Sequence, residues 1–329
     1  MLPIAIDAMG GDNAPESIVE GARIAADRGI DVVLVGQPER LIDLAGDLPM
    51  IAASEVIAMD DDPGTSVRTK KDSSLVRAAE AVRDGSASAM VSAGNTGATM
   101  ASALFRMGRI KGFARPAIAA PLPVLGAEHP TVLLDSGANA EVQADWVAQF
   151  ARMGAVYARD RFGIARPRVG LLSIGEEAGK GSPLVKEIFG LLSESEWQEA
   201  LDVEFIGNVE GRDLFDPAVD VVVTDGFTGN VALKTAEGAA RMIVDALLAA
   251  FESSDDARAG AALLAPSLAS LYAQMNPDTV GGAMLLGVKG VCVISHGSSS
   301  PEAIVNAVEV AKELVERGMV DDLTAAAAV

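Results

Sequence analysis

The sequence predicts an α/β fold: a doubly wound, mostly parallel sheet with helices on both faces. Three observations carry this. Short runs rich in Val, Ile and Ala alternate with segments of helical periodicity along most of the chain. Many of those runs are apolar at every position, as strands covered on both faces must be. Only 4% of the residues are aromatic although half are apolar, which suits close helix-on-sheet packing better than an aromatic-rich sandwich.

The elements follow in order. LPIAID (2–7) predicts a strand, and PESIVEGARIAADRG (15–29) a helix with Pro15 suited to its first turn. DVVLVG (31–36) predicts a strand, PERLIDLAG a helix, MIAASEVI (50–57) a strand, and Asp60 to Gly64 a turn. SSLVRAAEAVRDG (73–85) predicts a helix and SAMVS (88–92) a strand; the turn after it opens a helix running to about Met107. Further strands are expected at 117–124, 131–135, 168–175, 203–207, 219–226 and 290–297, with helices in most of the gaps. The segment 237–275 predicts a protruding helical hairpin broken near Ser253-Ser254-Asp255-Asp256, and its exposed-looking Leu and Ala suit either a dimer interface or a surface that meets lipid. Residues 1–329 thus form one expected catalytic domain, and the final TAAAAV is expected to fray.

Composition excludes several functions. The formal net charge is −20, which argues against nucleic-acid binding. Cys292 is the only cysteine and lies in an apolar run, so it reads as a buried structural thiol suited to a reducing cytosol. The N-terminus lacks the basic region of a signal peptide, and no run approaches the roughly 18 apolar residues of a membrane span.

The strand ends hold the chemistry. They read IDAMGGDNAP, VSAGNTGAT, LLDSGANAE, LSIGEEAGKGS, VTDGFTGNVALK and ISHGSSS, six ends of one glycine-rich, polar character. Open α/β sheets bind ligands beyond the carboxyl ends of their strands. A turn such as Ser92-Ala93-Gly94-Asn95-Thr96-Gly97 offers free N–H groups at a helix start, where the dipole favours an anion. Asn95, Thr96, Thr228 and Asn230 are candidate side-chain donors. Lys180, in the loop 176–182, reads as the best-placed cation or as a solvated loop lysine. Lys234 reads as a structural partner for a carboxylate. His296 fits a general acid or phosphate donor, and equally a capping or core histidine.

Familiar signatures fail. There is no GxGxxG and no GxSxG, and GEEAGKG has the wrong spacing for a P-loop, with Gly181 in place of the metal-binding Ser/Thr. Two histidines and one cysteine do not support a structural zinc site. What remains is an anion-friendly crevice without an evident protein nucleophile. That suits phosphate as the nucleophile, with the protein positioning it and stabilising an oxyanion on the acyl group under attack.

The motifs IAIDAMGGDNAP, VRTKKDSS, VSAGNTGA, RIKGFARPA, LLDSGAN, GEEAGKG, FIGNVEGRD, VVVTDGFTGNVALKT and SHGSSSPEAI closely resemble the bacterial phosphate acyltransferase family of phospholipid synthesis. The likeness runs from Ile4 to about Ala307. It departs slightly at Ser173-Ile174-Gly175-Glu176-Glu177, where family members often have Asn-Ile-Gly-Thr-Glu, and a role for Glu176 stays open. The resemblance implies transfer of a long acyl group from acyl carrier protein to inorganic phosphate, with the product passed to a membrane glycerol-3-phosphate acyltransferase. It further implies a homodimer, no bound cofactor or metal, a cytoplasmic protein with peripheral membrane contact, and a fold similar to isopropylmalate dehydrogenases and phosphotransacetylases.

On this reading Asn95, Lys180 and His296 are the expected catalytic residues. Ser92, Gly94, Thr96, Gly97, Asp225, Thr228, Gly229 and Asn230 line the phosphate and substrate site. Arg106, Arg109, Lys111 and Arg115, four cations in ten residues, are the expected patch for the acidic carrier protein, or else a solvated loop. Two rivals remain: a metal- and NAD-dependent β-decarboxylating dehydrogenase on the same fold, and a non-catalytic scaffold that binds the carrier or lipid.

Overall fold

The structure, a computed structural model, describes residues 1–275 and 281–329. Its strands are β1 (Ile4–Asp7), β2 (Val32–Gly36), β3 (Met50–Ala52), β4 (Ala89–Ser92), β5 (Ala117–Leu122), β6 (Thr131–Leu134), β7 (Arg168–Leu172), β8 (Glu204–Val209), β9 (Val221–Val223), β10 (Ala283–Leu286) and β11 (Val291–Ile294). They form one sheet in the order β3-β2-β1-β4-β11-β10-β5-β6-β9-β7-β8. Its helices are α1 (Glu16–Asp27), α2 (Pro38–Ala45), α3 (Pro63–Thr69), α4 (Ser74–Arg83), α5 (Thr96–Arg106), α6 (Ala144–Phe162), α7 (Pro183–Leu192), α8 (Ser195–Leu201), α9 (Gly226–Glu252), α10 (Asp255–Met275), α11 (Pro301–Glu316) and α12 (Met319–Ala326).

The doubly wound reading holds, with one consequential departure. Strands β3, β2, β1, β4 and β11 are mutually parallel, and so are β6, β9, β7 and β8. Between the two sets, β10 pairs antiparallel with β11 and with β5, and β5 pairs antiparallel with β6. Three reversals turn the second set to run opposite to the first. The carboxyl ends of β1, β4 and β11 therefore lie at one edge of the sheet, and those of β6, β7 and β9 at the other. This reversal sorts the six glycine-rich ends into two groups of three, those of β1, β4 and β11 and those of β6, β7 and β9. Its source is β10, which the sequence analysis did not anticipate.

Alternation along the strands divides the core. Ile4 and Ile6 face the cluster shared with α1, α6 and α11, while Ala5 faces the cluster shared with α4 and α5. Each fully buried Leu, Ile or Phe in these layers contributes about 1.5–3 kcal/mol. In β5, Ala117 and Ala119 face the first cluster; Ile118 and Leu122 face the other side, one toward α5 and one toward the cluster that Leu233 of α9 packs against. Helix α5 and the start of α9 thus flank the central strands on the same face.

Other departures are local. The strand expected over 50–57 stops at Ala52, because Asp72 takes the Ser54 N–H and hydroxyl at 3.0 and 2.7 Å. The turn at 60–64 instead launches α3, with Asp62 accepting the Thr65 N–H at 2.8 Å and Pro63 at the first helical position. The C-terminus does not fray at once: α12 runs to Ala326, which is buried. The break near 253–256 falls where expected, between α9 and α10.

Candidate active site

At the first edge the loops after β1, β4 and β11 are fastened together. Ser92 donates to Asp7 Oδ2 at 2.7 Å and accepts the Gly94 N–H at 3.0 Å. Both side chains are buried. Burial pushes the Asp7 carboxyl above its ordinary value, opposed by hydrogen bonds from Ser74, Ser92 and the Met9 N–H. Gly10 sits where a Cβ would lie 2.4 Å from Asp7 Oδ2 and 2.8 Å from the Gly94 backbone, so no other residue fits. The Asp12 N–H donates to the Gly297 carbonyl at 2.8 Å, tying β1's loop to β11's.

Asn95 is the N-cap of α5. Its Oδ1 accepts the Ala98 N–H at 3.0 Å, and its Nδ2 donates to the Met59 and Asp61 carbonyls at 2.9 and 3.2 Å. The expectation that this amide donates to a bound anion is corrected: its donors already anchor the 59–61 loop. Ser92 and Gly94 are likewise turned inward, and they brace the turn. The groups left open are the backbone N–H of Thr96 and of Gly97, which find no acceptor among the described residues. Thr96 is exposed, and no acidic residue lies in the first turn of α5. Free N–H donors at a helix start, where the helix dipole is positive, are groups that a small anion can accept from.

His296, at the end of β11, is exposed. Its Nδ1 lies 2.9 Å from Ser298 Oγ and accepts the Ser298 N–H at 3.4 Å.

The second edge is built around Asp135, which is fully buried. Its carboxylate accepts from the N–H groups of Ile118, Gly137, Ala138 and Asn139 and from Asn139 Nδ2, at 2.7–3.2 Å. Burial holds the Asp135 carboxyl above its ordinary value, opposed by the bonds from Ala138, Ile118 and Asn139. Helix α9 lies directly on this loop. Asp225 caps α9, accepting from the Thr228 N–H at 2.8 Å and the Thr228 hydroxyl at 2.7 Å. A Cβ on Gly229 would lie 1.9 Å from the Asp135 carbonyl oxygen. Gly229, expected to line the substrate site, is a buried packing glycine, and Thr228's hydroxyl is spent on the cap. Asn230 is exposed beside Gly137. Asp135 stands at a strand end in the Asp-Ser-Gly-Ala-Asn run, where holding a turn is the default role of an aspartate, and it takes that role here.

Lys180 stands in the loop after β7, half exposed, its Nζ 3.9 Å from Glu177 of the same loop. Glu176 pairs with Arg212 at 3.1 Å. Lys234 pairs with Glu237 at 2.8 Å, the structural role expected of it. The two edges are linked on one face, because Ala138 packs against the cluster that contains Ala98 and Ala103 of α5.

The four cations expected to form a docking patch are not gathered. Arg106 turns toward Glu80 of α4, at 3.6 Å, whereas the Arg115 guanidinium stacks over Trp146 of α6 at 4.7 Å, on the opposite face of the sheet. Arg109 donates to the Ala114 carbonyl within its own loop, and Lys111 is exposed. The segment joining α5 to β5 passes from one face toward the other, which separates residues that are neighbours in sequence.

The fold is similar to that of solved phosphotransacetylases. A phosphotransacetylase from Streptococcus pyogenes superposes with a TM-score of 0.63 at 17% identity, covering 95% of this chain and 94% of that one. A branched-chain phosphotransacylase from Enterococcus faecalis gives 0.59 at 15% identity, covering 96% and 99%. Sequence narrows the class further. The family described as "Fatty acid synthesis protein" matches residues 2–321. A phosphate acyltransferase from Elusimicrobium minutum is 48% identical over 97% of this chain and 94% of its own, and one from Myxococcus xanthus is 46% identical over 98% and 92%. The chain belongs to the phosphate acyltransferase family, and it is an acyltransferase.

Proposed function

We propose that the chain transfers a long acyl group from acyl carrier protein to inorganic phosphate, giving acyl phosphate for phospholipid synthesis. The observation that carries this reading is the pair of open N–H groups on Thr96 and Gly97 at the start of α5. They cradle hydrogenphosphate. One phosphate oxygen attacks the thioester carbonyl; the new C–O bond forms, the C–S bond breaks, and the phosphate proton ends on the departing pantetheine sulfur. No protein nucleophile is required. Exposed His296, at the same edge of the sheet, relays that proton. Lys180, in the loop after β7 and paired only at 3.9 Å with Glu177, is the cation of the second rim and offsets charge on the phosphate or the developing oxyanion in this reading. Asp225, Thr228 and Asn230 form the second rim, across the face that α5 and α9 flank.

Residues 1–329 act as one catalytic unit in this reading, as a homodimer that meets the membrane peripherally and passes acyl phosphate to a membrane glycerol-3-phosphate acyltransferase. Support comes from α9 and α10, which leave Met242, Ile243, Leu247, Leu248, Leu263 and Leu264 exposed. No helix among the described residues is long and apolar enough to cross a membrane.

The test follows acyl phosphate by phosphorus NMR, with palmitoyl carrier protein and inorganic phosphate as substrates and palmitoyl coenzyme A in parallel. Phosphate-dependent product from the carrier is expected. Retained carrier binding without product would favour the scaffold instead. Lys180→Ala should cut turnover by about two orders of magnitude or more without lowering the melting temperature; near-normal turnover would remove Lys180 from the mechanism.

A further inference from the structure

Helices α3 and α5 lie side by side in the same direction. Gly97, at the start of α5, has room for no Cβ because Pro63, at the start of α3, would be 2.7 Å away. Near their other ends the Arg68 guanidinium stands over the Phe105 ring, 5.7 Å from its centroid. Beside that contact opens a cavity of about 380 Å³ lined by Val67, Arg68, Lys71, Phe105 and Arg106.

Three of those five side chains are cationic, in a chain of net charge −20. Among the described residues no carboxylate lies within ion-pair distance of Arg68 or Lys71, and both are exposed. Arg106 faces Glu80, and Arg77 and Arg83, which also reach Glu80 at 3.5 and 3.8 Å, pair with Asp72 and Asp84 as well, so the positive charge of the pocket that no ion pair offsets is that of Arg68 and Lys71. The Arg106 Nε is buried without a hydrogen-bond acceptor. Phe105, 51% exposed, supplies an apolar wall next to these charges. A pocket of cations beside an aromatic face fits a phosphate ester that carries a less polar chain.

The spacing identifies which ester. The eleven residues of α5 separate this pocket from the open N–H groups by about 15 Å. An extended pantetheine arm also spans roughly 15 Å from its phosphate to its sulfur, judged by the reach of a polypeptide with as many chain bonds. We infer that the Arg68–Lys71–Arg106–Phe105 pocket binds the phosphodiester of the carrier's phosphopantetheine arm, and that the arm lies along α5 with its thioester at the Thr96–Gly97 cradle. This rests on the acyl-carrier reading above and adds to it an anchoring site between the ends of α3 and α5, which shares only Arg106 with the four arginines and lysines expected from sequence. The residues position the donor and take no part in bond making.

Two measurements on the full chain test it. Calorimetry compares 4′-phosphopantetheine with pantetheine: the wild type should bind the first and not the second, and Arg68→Ala/Lys71→Ala should bind neither. Kinetics compare palmitoyl phosphopantetheine with palmitoyl pantetheine as donors to phosphate. The wild type should favour the phosphorylated donor by about tenfold or more in kcat/KM, through KM. The double variant should lose that preference while its KM for inorganic phosphate and its melting temperature stay as in the wild type. Arg68→Lys should keep most of the preference. A wild type that binds both small molecules alike, or a double variant that keeps the preference, would overturn the pocket. A wild type that binds phosphopantetheine yet makes no acyl phosphate from any donor, carrier included, would overturn the acyl-transfer reading and leave the pocket standing.

Discussion

Ser92 donates a 2.7 Å hydrogen bond to Asp7 inside the seam between β4 and β1, and the same hydroxyl oxygen accepts the Gly94 N–H. One buried hydroxyl therefore sets the relative position of two loops at the proposed phosphate edge. Ser92→Ala strands an acceptor on Asp7 and a donor on Gly94. A loss of about 1–3 kcal/mol in urea unfolding is expected, together with a raised KM for phosphate because α5 begins four residues later. Unchanged stability would show that the seam is held by Ser74 and the backbone alone.

Gly229 meets the Asp135 carbonyl too closely for any side chain. Gly229→Ala should cost about 3 kcal/mol or more, since both the loop and the start of α9 must move. Asn230→Ala, one residue on and exposed, should change stability by less than about 0.5 kcal/mol. Guanidinium unfolding of the two variants side by side checks the contrast.

Thr96→Pro deletes one N–H of the proposed cradle while placing proline at the first helical position, where it is tolerated. Asn95, at φ −54° and ψ 113°, already lies outside the α region that a following proline disfavours. The variant should fold, and its KM for phosphate should rise about tenfold, the worth of one charge-assisted hydrogen bond. Thr96→Ala separates the hydroxyl from the N–H and should leave that KM near wild type.

Asp160 on α6 is buried with Oδ2 unpartnered, and its carboxyl is pushed from 3.8 to about 6. Burial is the main cause, followed by Asp322 of α12; Arg159 and Arg317 act the other way. A carboxyl whose folded pKa is raised favours the fold when protonated. Its contribution is complete below 3.8 and is lost as pH rises through about 6. Asp160→Asn should therefore gain about 1–3 kcal/mol over the wild type at pH 8, shrinking to nothing near pH 4. Unfolding midpoints across that range measure the difference.

Local pattern alone was enough to place most strands, the start of α5 and the break between α9 and α10. Continuous apolar runs need burial on both faces, and small polar residues before a helical period need a cap; neither depends on distant contacts. Pattern also marked Asn95, Asp225, Lys180 and His296 as residues of interest, because they stand where strands end. It did not show what their side chains do. Asn95 and Asp225 cap helices, since the nearest N–H groups claim their oxygens first.

Family motifs determined the reaction class, and the tertiary structure decided the geometry. Strand direction is set by pairing between segments far apart in the chain, so the reversal at β10 and β5 could not be read from either run. The same is true of the basic pocket. Arg68 and Phe105 lie 37 residues apart and meet only because α3 and α5 pack in parallel, whereas Arg106 and Arg115, nine residues apart, end on opposite faces. Periodicity records which side of an element is buried. It carries no record of which other element does the burying, and that is what brings charges together or keeps them apart.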